Sequence, residues 1–163
     1  MKEVIKIKIL NFDQSTKKSG YSIFLDNKLD SYGTLDSNPN EKNPIERMKE
    51  QYDLMKKLIK KIKPDFIVFE HCQFQNNYST FQQLSQMQGV LMALLFERNI
   101  GFEIVEPTKW KSFCKVKGRK RIEQKTSAIQ IIKDIYNLDV SEDEADAILI
   151  GTWSANYIKM NDK

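Results

Sequence analysis

The stretch IKIKILNFDQSTKKSGYSIFLDNKLDSYGTL, residues Ile5 to Leu35, decides the fold. Ile5, Ile7 and Ile9 alternate with Lys6 and Lys8, the period-two pattern of a strand with one wet face. The pattern then slips into Leu10 and Phe12, so this strand starts half exposed and ends buried, with Asp13 at its end. The polar run Gln14 to Ser19 reads as a turn and Gly20 to Leu25 as a second strand. Asp26-Asn27 then forms a tight turn before a third strand, Lys28 to Leu35. The segment is an antiparallel meander whose first strand delivers a carboxylate.

Downstream, a loop with Pro39 and Pro44 precedes Ile45, Met48, Tyr52, Met55, Ile59 and Ile62. These recur at the spacing of an amphipathic helix that Pro64 stops. Phe66-Ile67-Val68-Phe69 is an unbroken apolar run, as a central strand covered on both faces requires, and Glu70 is the first charge after it. The polar loop His71 to Tyr78 follows, with His71 read as an exposed loop histidine. The next helix, Thr80 to Arg98, is apolar nearly all round from Val90 to Phe96. One core face cannot use all of that surface, so either the helix is buried on two sides or an outer stripe with Met87, Leu91 and Leu94 meets a second copy of the chain, the dimer interface expected here. Gly101 to Glu106 reads as a fifth strand, Pro107 opens a short helical turn, and Ile122 to Tyr136 forms a further helix.

In the last helix, Ser141 and Glu144 form a capping box, which fixes its start and therefore its faces. Asp143 and Asp146, three residues apart, then share a face that continues inward through Ala147, Ile150, Trp153 and Tyr157. Asp13, Glu70 and this pair are thus carboxylates at the edges of apolar runs in three separate segments. An acid beside a core is costly unless it is paired or ligates a metal. Oxygen-only ligands favour magnesium, with manganese as the alternative.

The net charge of +4 understates the electrostatics. Lys109 to Lys125 carries Lys109, Lys111, Lys115, Lys117, Arg119, Lys120, Arg121 and Lys125 against one acid, Glu123, a local charge of +7. A positive patch on an otherwise acidic chain selects a polyanion. Trp110 and Phe113 within it could stack on bases or bury the root of the loop. The 163 residues, 40% hydrophobic, suit one domain spanning 1–163. No stretch approaches a membrane span, and the opening MKEVIKIKIL lacks the apolar block of a secretory signal, so a cytoplasmic location is expected. Cys72 and Cys114, far apart and without CxxC spacing, support neither a disulfide framework nor a zinc knuckle.

Together these residues resemble the RuvC-type Holliday junction resolvases of the ribonuclease H-like fold. The carriers are Ile9-Leu10-Asn11-Phe12-Asp13 with Gly20-Tyr21, then Ile67-Val68-Phe69-Glu70, Leu84 to Leu94 with Gln88-Gly89-Val90, and Asp143-Glu144-Ala145-Asp146-Ala147-Ile148. The resemblance runs from about Ile5 to Tyr157. It implies an α/β domain with a five-stranded mixed sheet, an antiparallel three-strand meander and helices on both faces. It also implies catalytic, metal-binding roles for Asp13, Glu70, Asp143 and Asp146, two ions per site, and contacts from Lys111 and Lys125 to phosphates at the cut. The implied activity is paired hydrolysis of four-way DNA by a homodimer, leaving 5′ phosphates and 3′ hydroxyls. The chain departs from the cellular pattern at Gln14-Ser15, which stand where Pro-Gly is usual. Phe74, the aromatic after Glu70, is displaced by about one position and is a candidate to insert between bases, and the loop Lys115 to Arg121 is longer and more basic. Such a compact, Lys/Asn/Ile-rich chain resembles a bacteriophage version, which would act in the host cytoplasm on a broader range of branched DNA. Three rivals remain: a non-catalytic junction binder, a ribonuclease acting on RNA–DNA hybrids, and an ATPase with a phosphate loop at Asp13 to Thr16. The last lacks the second domain needed to enclose ATP.

Overall fold

The computed structural model describes residues 6–161, with side chains through residue 158. Ile5, part of the expected first strand, lies outside that range. The first strand, β1 (Lys8–Asp13), turns into β2 (Lys18–Leu25) and β3 (Lys28–Asp36) as an antiparallel meander. Asp26 and Asn27 both take positive φ, the left-handed pair that a two-residue hairpin demands. Helix α1 (Pro44–Ile62) starts on an Asn43 side-chain cap and ends at Lys63 in the left-handed region, one residue before Pro64. Strand β4 (Phe66–Glu70), helix α2 (Tyr78–Arg98) and strand β5 (Gly101–Val105) follow. The chain closes with α3 (Pro107–Phe113), α4 (Arg121–Tyr136) and α5 (Glu142–Asn161).

The five strands form one mixed sheet in the order β3-β2-β1-β4-β5, with β4 parallel to both β1 and β5. Helices cover both faces. Leu10, Phe12, Ile67 and Phe69 point into one core with Met48, Met55 and Ile59 of α1 and Met87, Leu91 and Leu94 of α2. Ile9 and Val68 point the other way, into a core with Trp110, Ile132, Ile148 and Trp153 from α3, α4 and α5. Strand parity therefore assigns Asp13, which follows Ile9 and Asn11, and Glu70, which follows Phe66 and Val68, to the α5 face.

One expectation is corrected here. Met87, Leu91 and Leu94 do not form an outer stripe: they are 0%, 0% and 2% exposed within the single chain, packed on the sheet. The apolar periodicity of α2 was read correctly, but its direction was not. The sheet claims the richest stripe because burying it against Phe12 and Phe69 removes the most apolar area. Between its exposed ends, α2 leaves Gln82, Gln86, Gly89, Ala93 and Phe96 outside. A smaller adjustment concerns Tyr157, which ends the inward face of α5 at its margin, 37% exposed and stacked on Trp153 at 4.8 Å.

Helix α5 lies unusually close to the sheet, and small residues make this possible. A side chain at Gly20 would collide with the Asp143 carbonyl, and one at Gly151 would meet the Phe24 ring and, at 2.7 Å, the Ser22 hydroxyl. Ser22 Oγ donates to the Ala147 carbonyl at 2.6 Å, and Ser154 Oγ to Asn11 Oδ1 at 2.7 Å. These bonds satisfy polar groups that burial would otherwise penalise. They also fix the height of α5 over β1 and β2.

Candidate metal centre

The β1–β4 register pairs Phe12 with Phe69, so the next pair is Asp13 with Glu70, on strands about 4.8 Å apart. On the other side of Asp13 stands Gly20, where the first turn of α5 docks. The capping box forms as expected: the Ser141 N–H donates to Glu144 Oε1 at 3.0 Å, and the Glu144 N–H to Ser141 Oγ at 3.3 Å. It sets the helix start over the strand ends. Asp143 is half-buried and Asp146 is 7% exposed.

The four acids share one electrostatic field. Burial pushes the Asp13 carboxyl well above its ordinary value, and the charges of Glu70, Asp146 and Asp143 push it further, against the pull of Lys125. Burial also raises Glu70, opposed by a hydrogen bond from Trp110. Asp143 is raised for the same first reason, with Lys125 and Lys18 opposing. Asp13 thus feels the charges of the other three acids, and Glu70 and Asp143 each feel that of Asp146, so the carboxylates lie within electrostatic reach of one another. Among the described residues no group of three or more His, Cys, Asp or Glu side chains is placed so that it could hold a metal ion. The acids share a field rather than a finished coordination sphere, and the donor set, all carboxylate oxygen, suits a hard divalent cation.

Three side chains outside the acids shape this field. Lys125 pairs with Asp146 Oδ2, both largely buried. Burial alone would lower the Lys125 ammonium, but the Asp146 carboxylate overrides it and raises the value. Trp110, 1% exposed, donates its indole N–H to Glu70 Oε2 at 2.6 Å. Gln14, buried at the first turn, bonds the Glu70 backbone twice: Nε2 donates to its carbonyl, and its N–H donates to Gln14 Oε1 at 3.2 Å.

The basic segment divides in two. Lys109, Lys115, Lys117, Arg119, Lys120 and Arg121 are exposed, whereas Lys111 and Lys125 are half-buried and turned toward the acids. Lys111 Nζ lies 5.5 Å from the centre of the Trp110 ring and donates to Gln124 Oε1 at 3.1 Å. Glu123, the lone acid, is engaged by the Arg119 and Lys120 N–H groups at 2.8 and 3.0 Å. Trp110 buries the root of the loop, and Phe113 is 46% exposed. Phe74 is 60% exposed on the loop after Glu70, edge-on to Phe81 at 5.7 Å. His71 is partly exposed, its Nδ1 3.8 Å from Glu106. Of the cysteines, Cys114 is pushed up to about 12 by burial and is inert as a thiolate. A groove of about 580 Å³ between the Lys115–Gly118 loop and α4 contains none of the four acids.

Sequence reading found the four acids, Lys111 and Lys125, but not Gln14 or the Trp110 bond. A Gln after a strand-end Asp carries no signal by itself, and a tryptophan among lysines has two equally ordinary readings.

Comparison with known proteins sets these features in a family. Crossover junction endodeoxyribonuclease RuvC of Fusobacterium nucleatum is 24% identical over 148 residues, 88% of this chain and 77% of its own. A Thermus thermophilus RuvC structure in complex with a Holliday junction substrate superposes with a TM-score of 0.74 at 15% identity, covering 94% of this chain and 96% of its own. The yeast mitochondrial Holliday junction resolvase Ydc2 gives 0.63 at 16% identity, covering 94% and 82%. These superpositions establish the RuvC-like, ribonuclease H-like fold. No helix among the described residues is long and apolar enough to cross a membrane. The family model described as Lactococcus phage M3 protein matches residues 1–156, and the chain belongs to that phage protein family, as a RuvC-like member.

Proposed function

We propose that the protein is a structure-selective endonuclease that resolves four-way and other branched DNA by paired phosphodiester hydrolysis, leaving 5′ phosphates and 3′ hydroxyls. The observation that carries this reading is the common field of Asp13, Glu70, Asp143 and Asp146, reached by Lys111 and Lys125 of a segment of charge +7. Two bound magnesium ions, or manganese, would supply an activated water and Lewis-acid stabilisation of the departing 3′ oxygen. The chain's own residues do the rest. Asp13, central in the field, and the other three acids hold the cations. Lys111 and Lys125 present ammonium groups to the phosphate being cut, and Lys125 leaves Asp146 as it does so. The six exposed cations follow the backbone of the arms, and Phe74 stacks on a base at the junction. Paired nicks need two sites related by symmetry, which a second copy provides. The free face of α2, with Gln86, Gly89, Ala93 and Phe96, suits that contact.

The test is cleavage of labelled four-way, three-way and linear duplex DNA and of an RNA–DNA hybrid, with and without magnesium. Four-way DNA is expected to be cut in symmetric pairs only with the metal. Asp146→Asn is expected to lose roughly 10²–10³-fold in rate while still retarding the junction in a gel, in the range that removing one charge-stabilising group costs. Binding without any cleavage by the unaltered protein would leave a junction-binding protein, and preferential cutting of the hybrid would leave a ribonuclease.

A further inference from the structure

A buried indole N–H must find an acceptor, and in α3 the acceptor is one oxygen of a metal-ligand candidate 40 residues away in sequence: Trp110 Nε1 reaches Glu70 Oε2 at 2.6 Å. The indole has little freedom. It is 1% exposed in the core with Ile132, Ile148 and Trp153, and the Lys111 ammonium, tied to Gln124, lies 5.5 Å from its ring centre. The other end of Glu70 is fixed as well, because Gln14 holds both its backbone N–H and its carbonyl. Backbone and carboxylate are thus set by two residues from different elements, neither of them an acid. A carboxylate with one oxygen held by a rigid donor keeps its remaining lone pairs and gains a defined orientation in which to offer them.

We propose that Trp110 is a positioning residue of the metal centre, holding Glu70 Oε2 so that the Glu70 carboxylate would be offered to a divalent cation in one fixed orientation. This rests on the reading of the four acids as a cation site. It gives Trp110 a role distinct from core filling, because the N–H, and not the ring volume, carries the effect. The same bond ties the root of the basic segment to a ligand of the cation.

The isostere 3-benzothienylalanine, which replaces the indole N–H by sulfur, separates donor from shape. It is incorporated at position 110 of the full chain, with Trp110→Phe as a second variant. Mn²⁺ binding is measured by titration calorimetry without DNA, and thermal melting is recorded in EDTA. The isostere is expected to bind Mn²⁺ about tenfold more weakly than the unaltered chain, the loss typical of removing a partner that orients a ligand, with its melting temperature in EDTA lowered only by the few degrees that one lost hydrogen bond costs. Trp110→Phe is expected to show the same loss in affinity together with lower melting. Wild-type affinity in the isostere would overturn the role of Trp110 and leave the cation site standing. No Mn²⁺ binding by the unaltered chain would overturn the site itself, and the proposal with it.

Discussion

Gln14 shows how much one amide can settle. By bonding both backbone groups of Glu70 it extends the pairing of β1 and β4 by one step beyond the last ladder pair, where two acids would otherwise push the strand ends apart. Gln14→Leu keeps the volume and removes both bonds. It is expected to cost about 2 kcal/mol, or roughly 4–8 °C in Tm by thermal melting. Asp13 works in the opposite sense. Its folded pKa is raised above the ordinary 3.8, so between those two values the folded chain holds a proton that the unfolded chain has released. Stability therefore falls as pH rises from about 4 through the raised value, in the absence of divalent ions. Asp13→Asn is expected to flatten that fall and to raise Tm in EDTA at pH 7. The same change should abolish the Tm gain that magnesium gives the unaltered chain, which melting from pH 4 to 8 with and without the ion checks.

At the scale of elements, α5 is the part that turns separate acids into a site. Its start is set by the capping box and its height over the sheet by Gly20, Ser22 and Gly151. Gly20→Ala places a methyl group against the Asp143 carbonyl, so α5 must lift or tilt. The expected cost is about 2–3 kcal/mol in chemical denaturation. Magnesium affinity should fall in parallel, since Asp143 and Asp146 ride on the displaced turn. The segment from α3 to α4 obeys a different rule. Lys117, Arg119, Lys120 and Arg121 are exposed at the loop tip and the first residue of α4. Replacing all four by Ala is expected to weaken junction binding and to reduce the slope of log K against log salt by up to about 3–4, at ~0.9 per phosphate contact. Lys111 and Lys125 belong to the acid field and should contribute to cleavage rate more than to that slope.

For the whole molecule, the topology does the gathering. Two parallel neighbours, β1 and β4, end on the same side of the sheet, and the helix that closes the chain begins there. Residues 13, 70, 143 and 146 come together with no need for any of them to be close in sequence. The proposed paired cutting would depend on a second copy. Light scattering is expected to give the mass of two chains at micromolar concentration, and Ala93→Arg on the free face of α2 the mass of one.

The sequence by itself determined the meander, the apolar central strand, the amphipathic α1 and the capped start of α5, because these rest on local periodicity and local hydrogen bonds. The four acids were legible for a related reason: each interrupts or terminates an apolar pattern, and charge beside a core needs an explanation. Only the tertiary structure decided which face of each helix the sheet covers. Periodicity fixed that Met87, Leu91 and Leu94 share a stripe, but their burial depended on which side of α2 the sheet lies, a competition between surfaces far apart in sequence. The partners of Gln14, Trp110 and Lys125 were hidden in the same way, since each bond spans 21 to 56 residues and follows from how the strands and helices pack.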